Sequence, residues 1–137
     1  MGTWGTGSFD NDNAADFAGD LDDATAADRP ALLREALDNA ASADHLDSYE
    51  ADLAIAAAAI VAAQLPDGPR PNPNYGPNFV AAGEPVAVDP DLFALARAAL
   101  TRILDDEENE WLELWQESGD ADAAIAVVEA LRNALPA

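Results

Sequence analysis

The chain has no cysteine, which removes disulfides, thiolate metal sites, CxxC redox chemistry and cysteine nucleophiles together and leaves the redox compartment open. It has no lysine either. Six arginines stand against 27 acids, for a net charge of −21. Duplex DNA, RNA and anionic membranes are repelled by such a chain, since binding to them rests on Lys and Arg neutralising phosphates. A basic protein or a cation is the electrostatically natural partner. Solubility, or adaptation to salt or to a GC-rich genome, explains the same excess of acid with no function attached. Long apolar runs are missing too: the longest, LAIAAAAIVAA at 53–63, is eleven residues. A helix crossing a membrane needs roughly 20. The opening residues carry neither a basic stretch nor an apolar leader, so the expectation is a soluble, cytoplasmic protein.

What the chain does have is alanine, leucine and helical spacing. Its 137 residues suit one domain, and folding at that length buries roughly two-thirds of the surface of the extended chain. Ala14, Phe17, Ala18, Leu21 and Ala24 recur at helical spacing and predict a first amphipathic helix. Asp28 and Pro30 punctuate a second start, with Leu32, Leu33, Ala36, Leu37 and Ala40 on its inner face. Asp47-Ser-Tyr-Glu50 reads as a capping box for a third helix over about 48–65. That helix is apolar on nearly every side, which predicts a central position.

Seven of the nine prolines then fall between 66 and 90, so 66–89 is expected to be a long loop, with Tyr75, Phe79, Val80, Val86 and Val88 packing part of it down. Asp89-Pro90 is a cap and first-turn pair for the next helix. The block DDEENE (105–110) either continues that helix as a solvated face or breaks it, with Asp105 or Asp106 capping a fresh turn. Trp111, Leu114 and Trp115 resume an apolar face, Gly119 stops it, and Asp120 or Asp122 restarts a last helix ending at Pro136. The predicted fold is all-α: a bundle of five or six helices around the Ala-rich one, with an N-terminal arm (1–11) docked on it.

The opening MGTWGTGSFDNDNAADF admits three readings. A phosphate cradle needs nearby positive charge and a Lys-Ser or Lys-Thr pair, whereas Asp10, Asp12 and Asp16 occupy the first turn. An EF-hand loop started at Asp10 puts Ala14, Ala15 and Leu21 where an oxygen ligand, glycine and glutamate belong. A looser calcium or magnesium site on Asp10, Asp12 and Asp16 is the surviving metal candidate. The favoured reading is a plug: Asp10 or Asp12 caps the first helix, Trp4 and Phe9 are apolar anchors, and the glycines permit the turns between them. Elsewhere, His45 is expected at the surface, and Ser8, Ser42, Ser48 and Ser118 lack the G-x-S-x-G elbow of a nucleophile. On a helix, Asp105 with Glu108 and Asp106 with Glu110 would share a face, where they could hold a divalent ion, although a run of like charges ordinarily faces water.

The series Met1, Gly2, Trp4, Gly5, Gly7, Phe9, Asn11, Asp12, Ala14 or Ala15, Asp16 and Phe17 resembles the opening of a bacterial family catalogued as a domain of unknown function, number 4259. The alanine-rich LAIAAAAIVAA and Glu113-Leu114-Trp115 are similar to that family as well. The resemblance implies a compact helical domain without an assigned activity, and comparable openings occur in small proteins that look like antitoxin or immunity partners. The expected function is a non-enzymatic acidic interaction module that meets a basic protein through Tyr75 and Phe79 of the loop and Trp111 and Trp115. The alternative is a divalent-cation-binding protein or metal-dependent enzyme using Asp10, Asp12 and Asp16 or the acids at 105–110.

Overall fold

In the computed structural model, residues 5, 7–66, 68–69 and 76–136 are described. Every helix must find acceptors for the free N–H groups of its first turn, and those caps set where the elements begin. For α1 (Asp12–Asp23) the cap is Asn11, whose Oδ1 accepts the Ala14 N–H at 2.8 Å. Neither Asp10 nor Asp12 does this, contrary to expectation, because Asp10 is committed to the arm: its carboxylate accepts the Gly7 N–H at 2.9 Å. A Cβ on Gly5 or Gly7 would stand 2.5 or 2.6 Å from that carboxylate, so a side chain at either would push it off the Gly7 N–H. Phe9, 2% exposed, anchors the arm in the core, and Trp4 lies outside the described residues.

Helix α2 (Arg29–Ala41) has Pro30 in its first turn, and α3 (Ser48–Ala63) is capped by Asp47, whose Oδ1 accepts the Glu50 N–H at 2.7 Å. A long-range bond holds another N–H of the first turn, with Glu110 Oε1 accepting from Ser48 at 2.9 Å. Ala51 and the ten residues Ala54–Ala63 of α3 are all buried, and the helix packs against α1, α2, α5, α6 and α7. Alanine makes this geometry practicable, since a one-carbon side chain lets a neighbouring helix come close on every side.

Within the Pro-rich segment the chain forms one helical turn, α4 (Asn78–Ala81), which periodicity did not reveal. Its N–H groups are capped from afar: the Asp22 carboxylate of α1 accepts from Asn78 at 2.9 Å and from Phe79 at 3.1 Å. Arg29 closes the same joint. Its Nε donates to the Leu21 carbonyl at 2.8 Å, its guanidinium lies 4.0 Å above the Phe79 ring, and Glu84 stands 3.5 Å from its Nη1.

Helix α5 (Pro90–Leu104) starts on Asp89 as the sequence suggests, with the Leu92 N–H 2.8 Å from Asp89 Oδ1. It ends before DDEENE. The cap of α6 (Glu110–Ser118) is Asn109 rather than Asp105 or Asp106. Asn109 is 1% exposed; its Oδ1 accepts the Leu112 N–H at 2.9 Å while its Nδ2 donates to the Ile103 and Asp105 carbonyls, each at 2.7 Å. With no helix through 105–109, the face that would have aligned Asp105 with Glu108 and Asp106 with Glu110 does not exist. Leu46 and Asn109 instead form an isolated parallel bridge, in which the Leu46 N–H donates to the Glu108 carbonyl at 2.8 Å. Gly119, at φ +86°, terminates α6 in the left-handed conformation, and α7 (Ala121–Ala134) packs back on α5. The fold is all-α: among the described residues there is no strand, and no helix is long and apolar enough to cross a membrane.

Candidate functional site

The acids singled out in the opening are dispersed by the fold. Asp10 holds the arm, Asp12 faces a small pocket, and Asp16 lines a separate groove on the same helix. Among the described residues no three acidic or histidine side chains are gathered to hold a metal ion. Two of the acids of 105–110 serve backbone geometry: Asp105 Oδ1 accepts the Glu107 N–H at 3.1 Å, and Glu110 caps Ser48. That bond holds the Glu110 carboxyl below its ordinary pKa. His45 is exposed, as expected, with Nδ1 3.0 Å from Glu108 Oε2, and that hydrogen bond raises its pKa.

The aromatic candidates separate as well. Phe79 is 2% exposed and enclosed under Arg29, and Tyr75 lies outside the described residues. Trp111 is 4% exposed, whereas Trp115, one turn further along α6, is half-buried. The α4 joint sits at Asp22 and the tryptophans near Asp12, ten residues back along α1, which is about 15 Å at 1.5 Å per residue.

Around the tryptophans the structure assembles what the sequence did not announce. A pocket of about 250 Å³ is lined by Asp12 and Asn13 of α1, Asp52 of α3, and Trp111, Leu114 and Trp115 of α6. Leu114, 48% exposed, forms its outer lip. Asp52 is half-buried. Burial pushes its pKa up to about 6 and the Asp47 charge adds to the shift, while the Asn13 Nδ2 donates to its Oδ2 at 3.1 Å and pulls the other way. Among the described residues no arginine or histidine is ion-paired with it. A half-buried carboxylate with raised pKa in an aromatic-walled pocket is the pattern that marks ligand sites. Its one signal in the sequence was an acid set immediately before the apolar run of α3, and periodicity gives such a residue no weight.

A second, larger groove of about 630 Å³ runs between α1, α2 and α3, with Asp16, Asp20, Asp23 and Glu35 on its walls and Tyr49, 56% exposed, at its edge. Asn13 lines both cavities. Asp12, Asp16, Asp20 and Asp23 follow one another at spacings of four, four and three along α1, all exposed, so one acidic ridge borders pocket and groove.

Fold and site together define an acidic all-helical domain that carries an aromatic and carboxylate pocket beside a charged ridge. The family model described as Domain of unknown function (DUF4259) matches residues 2–132 of the 137-residue chain, and the chain belongs to that family. No curated protein and no solved structure matches it.

Proposed function

We propose that this chain is a non-enzymatic, cytoplasmic interaction module that binds a basic protein, in the manner of an immunity or antitoxin partner. The observation that supports it best is the α1 ridge, Asp12, Asp16, Asp20 and Asp23, flanked by the exposed apolar side chains Tyr49 and Leu114. Such a surface pairs long-range attraction with apolar contact: opposed charge steers a partner in and speeds association, and the apolar residues at the margins give it somewhere to settle. In this reading residues 1–137 form a single domain in which α3 is the central strut, Trp111 and Trp115 back the binding face, and Phe79 fixes the 66–89 loop from inside. An enzyme would need a nucleophile aligned with a base. The pocket does contain the Ser48 and Ser118 hydroxyls beside Asp12 and Asp52, but Ser118 Oγ donates to the Trp115 carbonyl at 2.8 Å and, among the described residues, no hydrogen bond joins Asp52 to either serine.

The test is affinity capture from the host lysate at 50 and 500 mM salt, followed by identification and purification of what is held. The expected partner has a basic isoelectric point, binds the purified chain, and loses at least tenfold in affinity at the higher salt. A variant with Asp12, Asp16, Asp20 and Asp23 all changed to Asn should lose a comparable factor while keeping its helical circular dichroism. A partner bound equally well by that variant, or indifferent to salt, overturns the reading.

A further inference from the structure

We infer that the pocket between α1, α3 and α6 receives one arginine side chain of the basic partner, with the guanidinium against Asp52 and Asp12 and its plane stacked on Trp115. This rests on the module reading above and adds where and how the partner is anchored. Three features support it. The cavity, about 250 Å³, is smaller than the 300–1,000 Å³ typical of sites for whole small molecules and is of the order needed for one long side chain. Asp52 is held half out of water beside indole rings, an arrangement that disfavours its charged form unless a cation arrives to pair with it. Four of the five described arginines are committed elsewhere, Arg29 to the Leu21 carbonyl, Arg34 to Asp89, Arg97 to the Arg132 carbonyl and Arg102 to the Ala43 carbonyl, and the fifth, Arg132, lies near the end of α7 and is not paired with Asp52. Among the described residues Asp52 has no counter-charge, and a partner's cation would supply one.

The chemistry of the walls selects among cations. A divalent metal ion holds its water tightly and takes roughly six or more oxygen ligands, whereas the pocket brings only the Asp12 and Asp52 carboxylates and its Trp111, Trp115 and Leu114 walls offer none. Lysine's ammonium is compact and strongly hydrated, whereas guanidinium is planar, weakly hydrated and stacks on aromatic faces while presenting a fork to carboxylates. An anion finds little here, although three helices begin near the pocket: Asn11 caps α1, Asp47 caps α3, Asn109 caps α6, and the Ser48 N–H is held by Glu110. The charged groups around Asp52 are Asp12 from α1, Asp47 at the cap of its own helix and Glu110 from α6, with His45 beyond Glu110; α7 presents Ala124, Val127 and Val128 to the gap behind it.

The probe is the peptide acetyl-Gly-Arg-Gly-amide, titrated into the ¹⁵N-labelled full chain at pH 7.5 and 50 mM salt, with the citrulline and lysine peptides in parallel. Resonances of the Trp115 indole and the Asn13 side-chain amide are expected to move with the arginine peptide, to move at least threefold less with lysine, and to stay still with neutral, isosteric citrulline. Asp52→Asn should weaken binding at least tenfold, and Trp115→Leu by a similar factor, while Glu129→Gln on α7 leaves it unchanged. Lowering the pH from 7.5 to 5 should cost about tenfold, the fraction of Asp52 still ionised one unit below a pKa of about 6. Equal response to citrulline, undiminished binding by Asp52→Asn, or shifts confined to the Tyr49 groove overturn the assignment. If a basic partner binds with the expected salt dependence while the arginine peptide leaves Trp115 unmoved, the pocket assignment falls and the module reading stands. If neither binds, both fall.

Discussion

At neutral pH the carboxylate of Asp52 is ionised in a place that favours its protonated form, so the folded state binds this proton more tightly than the unfolded chain does. Its pKa stands at about 6 when folded against 3.8 for a free side chain. For a carboxyl raised in this way, the stabilising term is fully present below about pH 4 and is lost as the pH climbs through about 6. Each unit is worth about 1.4 kcal/mol, which sets a ceiling of about 3 kcal/mol, and solvent reaching the half-buried group through the pocket lowers this to about 1–2 kcal/mol. Asp52→Asn keeps an oxygen to accept from Asn13 and removes the charge. The variant should therefore unfold at higher urea than the parent at pH 7.5, with the gain shrinking to nothing near pH 4. Equal stability at both pH values would show that the site is too wet for its burial to matter. A carboxylate that weakens the fold where the protein works is better explained by binding than by packing.

At the scale of single elements, what was legible in the sequence is what depends on near neighbours. Asp47 and Asp89 cap their helices and Gly119 ends α6 because the groups involved lie within a few residues. The caps misread, Asn11 and Asn109, stand in runs of acids that all qualify locally, and the choice among them is made by nearby bonds that spacing alone does not display, from Gly7 to Asp10 and from Asn109 to Ile103 and Asp105. Only an amide can accept from Leu112 while donating to Ile103 and Asp105, so no carboxylate could replace Asn109. Helix α4 and the Asp52 pocket escaped because their partners are distant in sequence: Asp22 reaches Phe79 across 57 positions, and Asn13 reaches Asp52 across 39. The burial of α3, by contrast, could be read from composition alone, since a run with no polar face has nowhere to meet water. That gives a test at this scale. Ala56 and Ala58 are both fully buried and lie about 200° apart around the helix. Ala56→Leu and Ala58→Leu should each cost about 1–3 kcal/mol in urea unfolding by overpacking opposite faces. If one of the two were silent, that side of α3 would have room to spare, and the helix would be packed on one face only.

For the whole molecule the governing quantity is a net charge of −21 on 137 residues, which the compact state holds closer together than the unfolded chain does. Part of the cationic side-chain capacity goes to backbone carbonyls, through Arg29, Arg97 and Arg102, and this leaves the carboxylates repelling one another. Salt should then act on folding and on partner binding with opposite signs. Screening lengths fall from about 30 Å at 0.01 M to about 10 Å at 0.1 M, so the melting temperature should climb with NaCl over that range and flatten beyond about 0.3 M. Over the same range, affinity for a basic partner should fall, because the attraction that guides it is screened as well. Divalent ions separate this picture from its rival. If carboxylates are merely screened, MgCl₂ and CaCl₂ raise the melting temperature smoothly and by roughly as much as NaCl at equal ionic strength. If Asp10, Asp12 and Asp16 held a calcium or magnesium ion, millimolar metal would add a saturating increment on top of the NaCl effect, about 2.7 kcal/mol at a hundred times the dissociation constant. The dispersal of those three acids, one on the arm, one at the pocket and one in the groove, favours the smooth curve. A saturating step that disappears with Asp12→Asn would require the arm and the first turn of α1 to rearrange around the ion, and would move the functional centre of the molecule from its ridge to its N-terminus.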